Sequence, residues 1–122
     1  MSLPTIHSKQ EFGLSEELTI DQILRQRAAQ TPNAIAVASL ERKPLTYRGL
    51  IDQVDYVAHF LAFGGLTRKD CVAIVLPNSP EMALAFLGVS SSAISAPLNP
   101  GCREAEFDFY LSELNAKALI VQ

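Results

Sequence analysis

The chain has no tryptophan, and its aromatic content is only 7 %. Two cysteines, Cys71 and Cys102, stand far apart and outside any CxxC or Cys/His grouping. That excludes a disulfide-stapled scaffold and a thiolate metal centre, and it predicts two free thiols in a reducing, cytoplasmic compartment. The N-terminal stretch from Met1 to Gly13 is polar and charged, without the apolar run of a signal peptide. The longest apolar stretch, Met82 to Ala96, is broken by Gly88, Ser90, Ser91, Ser92 and Ser95 and falls short of the ~20 residues that cross a bilayer. Lys and Arg total 10 against 13 Asp and Glu, interspersed to a net charge of −3, so no basic block tracks a nucleic-acid backbone. Phosphate-loop and dinucleotide patterns (GxxxxGK[ST], GxGxxG) are absent, as are GxSxG and HExxH.

What remains is a globular composition, 48 % apolar and 19 % charged, at a length of 122 residues that suits one domain. Residues 1–18, with Pro4, Gly13 and scattered charge, read as a flexible lead-in. Thr19-Ile20-Asp21-Gln22 fits a capping box, and Ile20, Ile23, Leu24 and Ala28 follow at helical spacing until Pro32. Ile35 to Leu40 and Pro44-Leu45, separated by Glu41-Arg42-Lys43, predict a short hairpin. Thr46 then caps a long amphipathic helix whose stripe is Tyr47, Leu50, Ile51, Val54, Val57, Ala58 and Leu61, ended by Gly64-Gly65.

From Cys71 the grammar changes. Cys71 to Leu76 is a continuous apolar run, the mark of a strand covered on both faces. Ser79 caps the next helix, Pro80 takes its first position and Glu81 its first turn, where the dipole favours negative charge. Ile94 to Leu98 predicts a second buried strand. A helix from Glu104 carries Phe107, Tyr110, Leu111 and Leu114 as a core stripe, and Lys117 to Val121 predicts a third strand. The expected fold is α/β: a partial three-layer arrangement with a parallel β-α-β-α-β unit at the C-terminal end, preceded by a helix, a hairpin and the long helix.

Ligands of open α/β sheets collect beyond the carboxyl ends of the strands, here Leu76-Pro77-Asn78-Ser79 and Leu98-Asn99-Pro100-Gly101-Cys102. Asn78, Ser79 and Asn99 are therefore candidate pocket-edge residues, and the helix beginning at Ser79 presents N–H groups to an anion. The competing reading is that both segments are ordinary strand-to-helix turns, rich in Asn, Pro and Gly for geometric reasons. His7 and His59 have no neighbouring nucleophile or carboxylate, and Glu104, Glu106 and Asp108 form a solvated face. Cys102 stands in a loop with nothing to lower its pKa, and Cys71 is a small core residue. No catalytic, cofactor-binding or metal-binding residue is assigned.

Five segments in order carry a resemblance. Leu45-Thr46-Tyr47-Arg48-Gly49-Leu50 resembles an L-T-Y-x-E-L helix entry, with Gly49 where Glu is usual. Asp70 to Glu81 is similar to D-x-V-A-I-x-L-P-N-x-x-E. Ala96-Pro97-Leu98-Asn99-Pro100, the group Glu106-Phe107 with Tyr110-Leu111, and Ala116-Lys117-Ala118-Leu119-Ile120 continue the series. Residues 19–122 thus resemble the N-terminal part of the adenylate-forming superfamily: acyl-CoA synthetases, luciferase-type enzymes and peptide-synthetase adenylation domains. Asn99, where peptide synthetases commonly have Asp, is more similar to stand-alone acyl-CoA synthetases, the oxalate-type branch included. Ser91-Ser92-Ala93 departs from the family's Ala-Gly-Ala.

The resemblance implies that a full-length relative uses ATP and Mg to make an acyl-adenylate and passes the acyl group to a thiol, usually coenzyme A. The family's phosphate loop, ribose-binding Asp and catalytic Lys belong to later segments, so the chain alone is expected to be inactive and to partner the remainder of its own enzyme. Two alternatives stay open: an amino-acid adenylation domain of a peptide synthetase, and a stand-alone non-catalytic α/β interaction module. The last strand is expected to leave an exposed sheet edge that invites self-association.

Overall fold

The computed structural model describes residues 18–122; the lead-in and His7 lie outside the described residues. Helix α1, Ile20–Gln30, opens with the predicted capping box: Thr19 Oγ1 accepts from Gln22 N–H at 3.2 Å, and Gln22 Oε1 accepts from Thr19 N–H at 2.9 Å. Arg25 bridges Asp21 on its own helix to Asp55 on the next, tying α1 to α2. Strands β1 (Ile35–Val37) and β2 (Leu45–Thr46) pair antiparallel with a register shift between Ile35 and Val37. That irregularity ends β1 early, so Leu40, expected in the strand, lies fully exposed in the connecting turn.

Helix α2, Tyr47–Phe63, is capped by Thr46, whose Oγ1 accepts from Gly49 N–H at 3.1 Å. It ends at Gly64, and Gly65 carries the left-handed φ of 82° that lets Leu66 N–H return to the Leu61 carbonyl. Its predicted stripe faces inward: Leu50, Val54 and Leu61 are buried. Strand β3 (Cys71–Val75) is followed by helix α3 (Pro80–Ser90), strand β4 (Ile94–Pro97), helix α4 (Glu104–Leu114) and strand β5 (Ala116–Val121). Asn115, at φ 49°, closes α4 in the left-handed conformation.

The three strands are parallel in the order β4-β3-β5. The chain steps from β3 to β4 in one direction and crosses back past β3 to reach β5. With right-handed crossovers, that reversal puts α3 and α4 on opposite faces. Side-chain direction agrees. Ala118 and Ile120 pack with Val72, Ile74, Ala85, Val89 and Leu61 on the α2–α3 side, whereas Leu119 (48 % exposed) and Val121 (57 %) alternate with them toward the other.

Two expectations are corrected. Ile94 to Leu98 is not a buried strand: β4 is a sheet edge among the described residues, and Ile94 is 50 % exposed. The α4 stripe is not a core either, because no α4 residue is buried; Phe107 and Leu111 are half-buried, and Tyr110 and Leu114 are exposed. The core is one-sided, gathered between β3 and the α2–α3 pair.

Candidate binding cleft

The strand order β4-β3-β5 reverses direction at β3, and ligands of such sheets collect beyond the carboxyl ends of the strands. A cleft of about 800 Å³ lies there. Its floor is the β3 exit, Leu76-Pro77-Asn78-Ser79, with the β5 end, Ile120 to Gln122. Its sides are Gln53, Tyr56 and Val57 of α2 with Leu84 and Ala85 of α3, and its rim is the β1–β2 turn, Ser39 to Arg42. A second hollow of about 500 Å³ runs between the β3 and β4 exits, lined by Leu76 to Asn78 and Pro97 to Pro100.

Asn78 is a wall of both hollows. Its side chain forms no hydrogen bond among the described residues, which leaves an amide on the shared rim. Ser79 also lines the larger cleft, but its hydroxyl is engaged: it donates to the Pro77 carbonyl at 2.9 Å and accepts from Met82 N–H at 3.2 Å. Asn99 lines the smaller hollow, and its Oδ1 accepts from Gly101 N–H at 2.8 Å, an Asx turn that holds the loop. The three candidates therefore share one end of the sheet, with the Asn78 amide and the Asn99 Nδ2 unengaged among the described residues.

The α3 N-terminus does not offer the anion site that its sequence predicts. Pro80 has no N–H, Ser79 takes the Met82 N–H, and Glu81 places its carboxylate in the first turn. Its own backbone N–H, with Arg42 nearby, holds the Glu81 carboxyl below the usual carboxylate range. A side chain already plays the anion. No group of three or more His, Cys, Asp or Glu residues gathers for a metal among the described residues.

Other side chains stand where the sequence placed them or do nothing further. His59 is exposed, its Nδ1 at 2.9 Å from the Asp55 carbonyl. Glu104, Glu106 and Asp108 are exposed, and Glu106 Oε1 accepts from Arg103 N–H at 3.1 Å, bracing the start of α4. Cys71 is buried and Cys102 half-buried, both as free thiols. The sequence pattern gives no sign of the rim. Arg42 and Glu81 form an ion pair between the hairpin turn and α3 that no spacing rule connects. Tyr56 was open to detection, since Tyr56, Phe60 and Phe63 recur at helical spacing outside the predicted stripe and are all exposed.

A parallel β-α-β-α-β sheet with a cleft at its strand exits defines an α/β domain. Comparison with known proteins supplies the rest. The sequence model of the family described as AMP-binding enzyme matches residues 24–122, and the chain belongs to that family. It is 40 % identical over 84 residues to an oxalate–CoA ligase of Saccharomyces cerevisiae, covering 63 % of this chain and 16 % of the ligase. To a probable CoA ligase, CCL9, of Humulus lupulus it is 33 % identical over 108 residues, covering 88 % and 21 %. To one of the linear gramicidin synthase polypeptides of Brevibacillus parabrevis it is 35 % identical over 106 residues, covering 86 % and 2 %. Among solved structures, the N-terminal domain of FACL13 from Mycobacterium tuberculosis superposes with a TM-score of 0.76 at 30 % identity, over 82 % of this chain and 26 % of that one. The chain thus spans about a fifth or less of these sequence relatives. No helix among the described residues is long and apolar enough to cross a membrane.

Proposed function

We propose that the chain is the N-terminal portion of an ATP-dependent, AMP-forming acid–thiol ligase, which makes an acyl-adenylate and transfers the acyl group to a thiol, with coenzyme A the favoured acceptor. Asn99 supports the CoA-ligase branch over the peptide-synthetase branch. In this reading ATP and Mg are held by polypeptide beyond the residues given, and the chain's partner is the remainder of its own enzyme. The chain contributes a scaffold and one edge of the ligand cleft, with Asn78 as its polar contact, and no residue in it is catalytic. The two free thiols support a reducing cytoplasmic setting.

The observation that carries the reading is the match of residues 24–122 to the AMP-binding enzyme family. Activation of a carboxylate by ATP needs preorganised donors where phosphate charge develops, and at the start of α3 Pro80 has no N–H and Ser79 already takes that of Met82. The test is acid-dependent ATP–pyrophosphate exchange. The 122-residue chain is expected to give background exchange only, and the polypeptide encoded by the whole reading frame to exchange with a carboxylic acid present. Turnover by the chain alone overturns the assignment of all catalysis to other segments. Silence from the whole protein across a panel of acids, with CoA or a carrier domain supplied, favours the interaction-module reading.

A further inference from the structure

The pairing of β1 with β2 stops at Val37 opposite Leu45. In the segment between them, Ala38 to Pro44, residues Ser39 to Arg42 line the large cleft. Among the described residues, no backbone group of this segment joins a turn or loop hydrogen bond. Leu40 at its tip is fully exposed, so apolar packing does not anchor it. Its side-chain tether is the ion pair of the Arg42 guanidinium with Glu81 Oε1 at the start of α3.

Arg42 and Glu81 each line two spaces: the large cleft, and a cavity of about 230 Å³ under the hairpin whose other walls include Val37, Leu45 and Leu84. With Ser39, Gln53, Pro80 and Leu84, which also line both, the ion pair is part of the boundary between them. Both partners are more than a third exposed, and such a pair in water favours its closed geometry by only about two- to five-fold. A contact that weak breaks and re-forms readily.

We propose that the Arg42–Glu81 pair is a latch. Closed, it holds residues 38–44 as a strap over the cleft and walls off the cavity under the hairpin. Released, it joins the two spaces into one slot whose sides combine apolar Val37, Leu45, Leu84 and Val57 with polar Ser39, Lys43 and Gln53, suited to a ligand with an apolar body. The latch operates in the same way whatever reaction the cleft serves.

The test compares the chain with R42A, E81Q and the double variant, by hydrogen exchange read out by mass spectrometry and by fluorescence of the uncharged probe N-phenyl-1-naphthylamine. R42A and E81Q are each expected to speed exchange in residues 38–44 a few-fold and to raise probe binding, with exchange in β3 unchanged. Because both act through one contact, the double variant is expected to go no further than either single one. Unchanged exchange in the strap, or effects that simply add, overturns the latch. Faster strap exchange without added probe binding overturns the joined slot. Should R42A lose its fold, raising NaCl to about 1 M on the unmodified chain makes the same test, since salt screens exposed pairs; exchange in 38–44 that ignores salt overturns the proposal.

Discussion

At the scale of single residues, the tightest constraint is Gly88. A Cβ built there would stand 2.8 Å from Val57 Cβ and 2.9 Å from its Cγ2, so the absent side chain sets how closely α3 crosses α2. Val57 is β-branched and held in one rotamer by its own helix, so it does not swing aside. Gly88→Ala is expected to destabilise the chain by about 1–3 kcal/mol, partly offset by alanine's better helix propensity. V57A is expected to restore much of the loss in the double variant. Thermal melts of the four proteins check this, and a Gly88→Ala variant as stable as the parent removes the close crossing as a constraint. Gly49 differs: a Cβ there would meet only the flexible tip of Leu45 at 2.7 Å, so the glycine in place of the family's Glu leaves room for Leu45 to fold over the helix entry.

Glu81 carries a pH signature at the same scale. Its carboxyl titrates below the ordinary value of 4.5 in the folded chain, chiefly through its own N–H and then through Arg42, with Glu41 and Lys43 the other charges on the facing turn. A depressed folded pKa means that the folded state binds the proton less readily than the unfolded one. The stabilisation is therefore present above about pH 4.5 and is lost as pH falls through the lower folded value. Melting temperature is expected to fall more between about pH 6 and pH 3 in the parent than in E81Q, which has no charge to lose there. Parallel curves for the two proteins count against a depressed Glu81.

At the scale of elements, what was legible was what is local. Thr19, Thr46 and Ser79 each cap a helix through a hydrogen bond spanning three residues, so a short window of sequence contains donor and acceptor together. The β-α-β-α-β alternation was legible for the same reason. Strand order was not. The run Ile94 to Leu98 contains Ser95 and Pro97, and the proline, which cannot donate to a ladder, was the overlooked sign of an edge strand; β3 took the centre. The α4 stripe misled as well, since helical periodicity states which residues share a face but not what that face meets.

The strand order has its own consequence. Beyond β5 no strand pairs among the described residues, and the face carrying Leu119 and Val121 is half-open. An unpaired edge beside apolar surface is a template for a second chain. The isolated chain is expected to self-associate as concentration rises, and L119K/V121K to shift the midpoint toward higher concentration by placing charge at that face. Static light scattering over a dilution series checks it. A strictly monomeric particle at the highest concentrations, for parent and variant alike, rules the edge out as an association site.

At the scale of the whole molecule, the candidate cleft was half legible. The rule that ligands gather at strand exits pointed to Asn78, Ser79 and Asn99 as candidates, and all three line hollows at that end of the sheet. The rim formed by the hairpin turn was not legible, because Arg42 and Glu81 meet only once the whole chain has folded. The uneven burial has a further consequence. Among the described residues, full burial is confined to α2, β3 and α3 with Ser91, and neither α1 nor α4 contributes a buried residue. Stability follows buried apolar area, so local opening near the ends is expected to cost far less than breaking the centre. In native-state hydrogen exchange, amides of α1 and α4 are expected to exchange by local opening and to stay insensitive to low denaturant. Amides of β3 are expected to exchange only by global unfolding, with the full denaturant slope. Embedding the same residues in the longer polypeptide is expected to slow α4 more than β3, since the half-open face beside β5 and α4 is where added chain has apolar surface to cover. Equal protection of α4 and β3 in the isolated chain contradicts the one-sided core, and an α4 unmoved by the added polypeptide contradicts the half-open face as its docking ground.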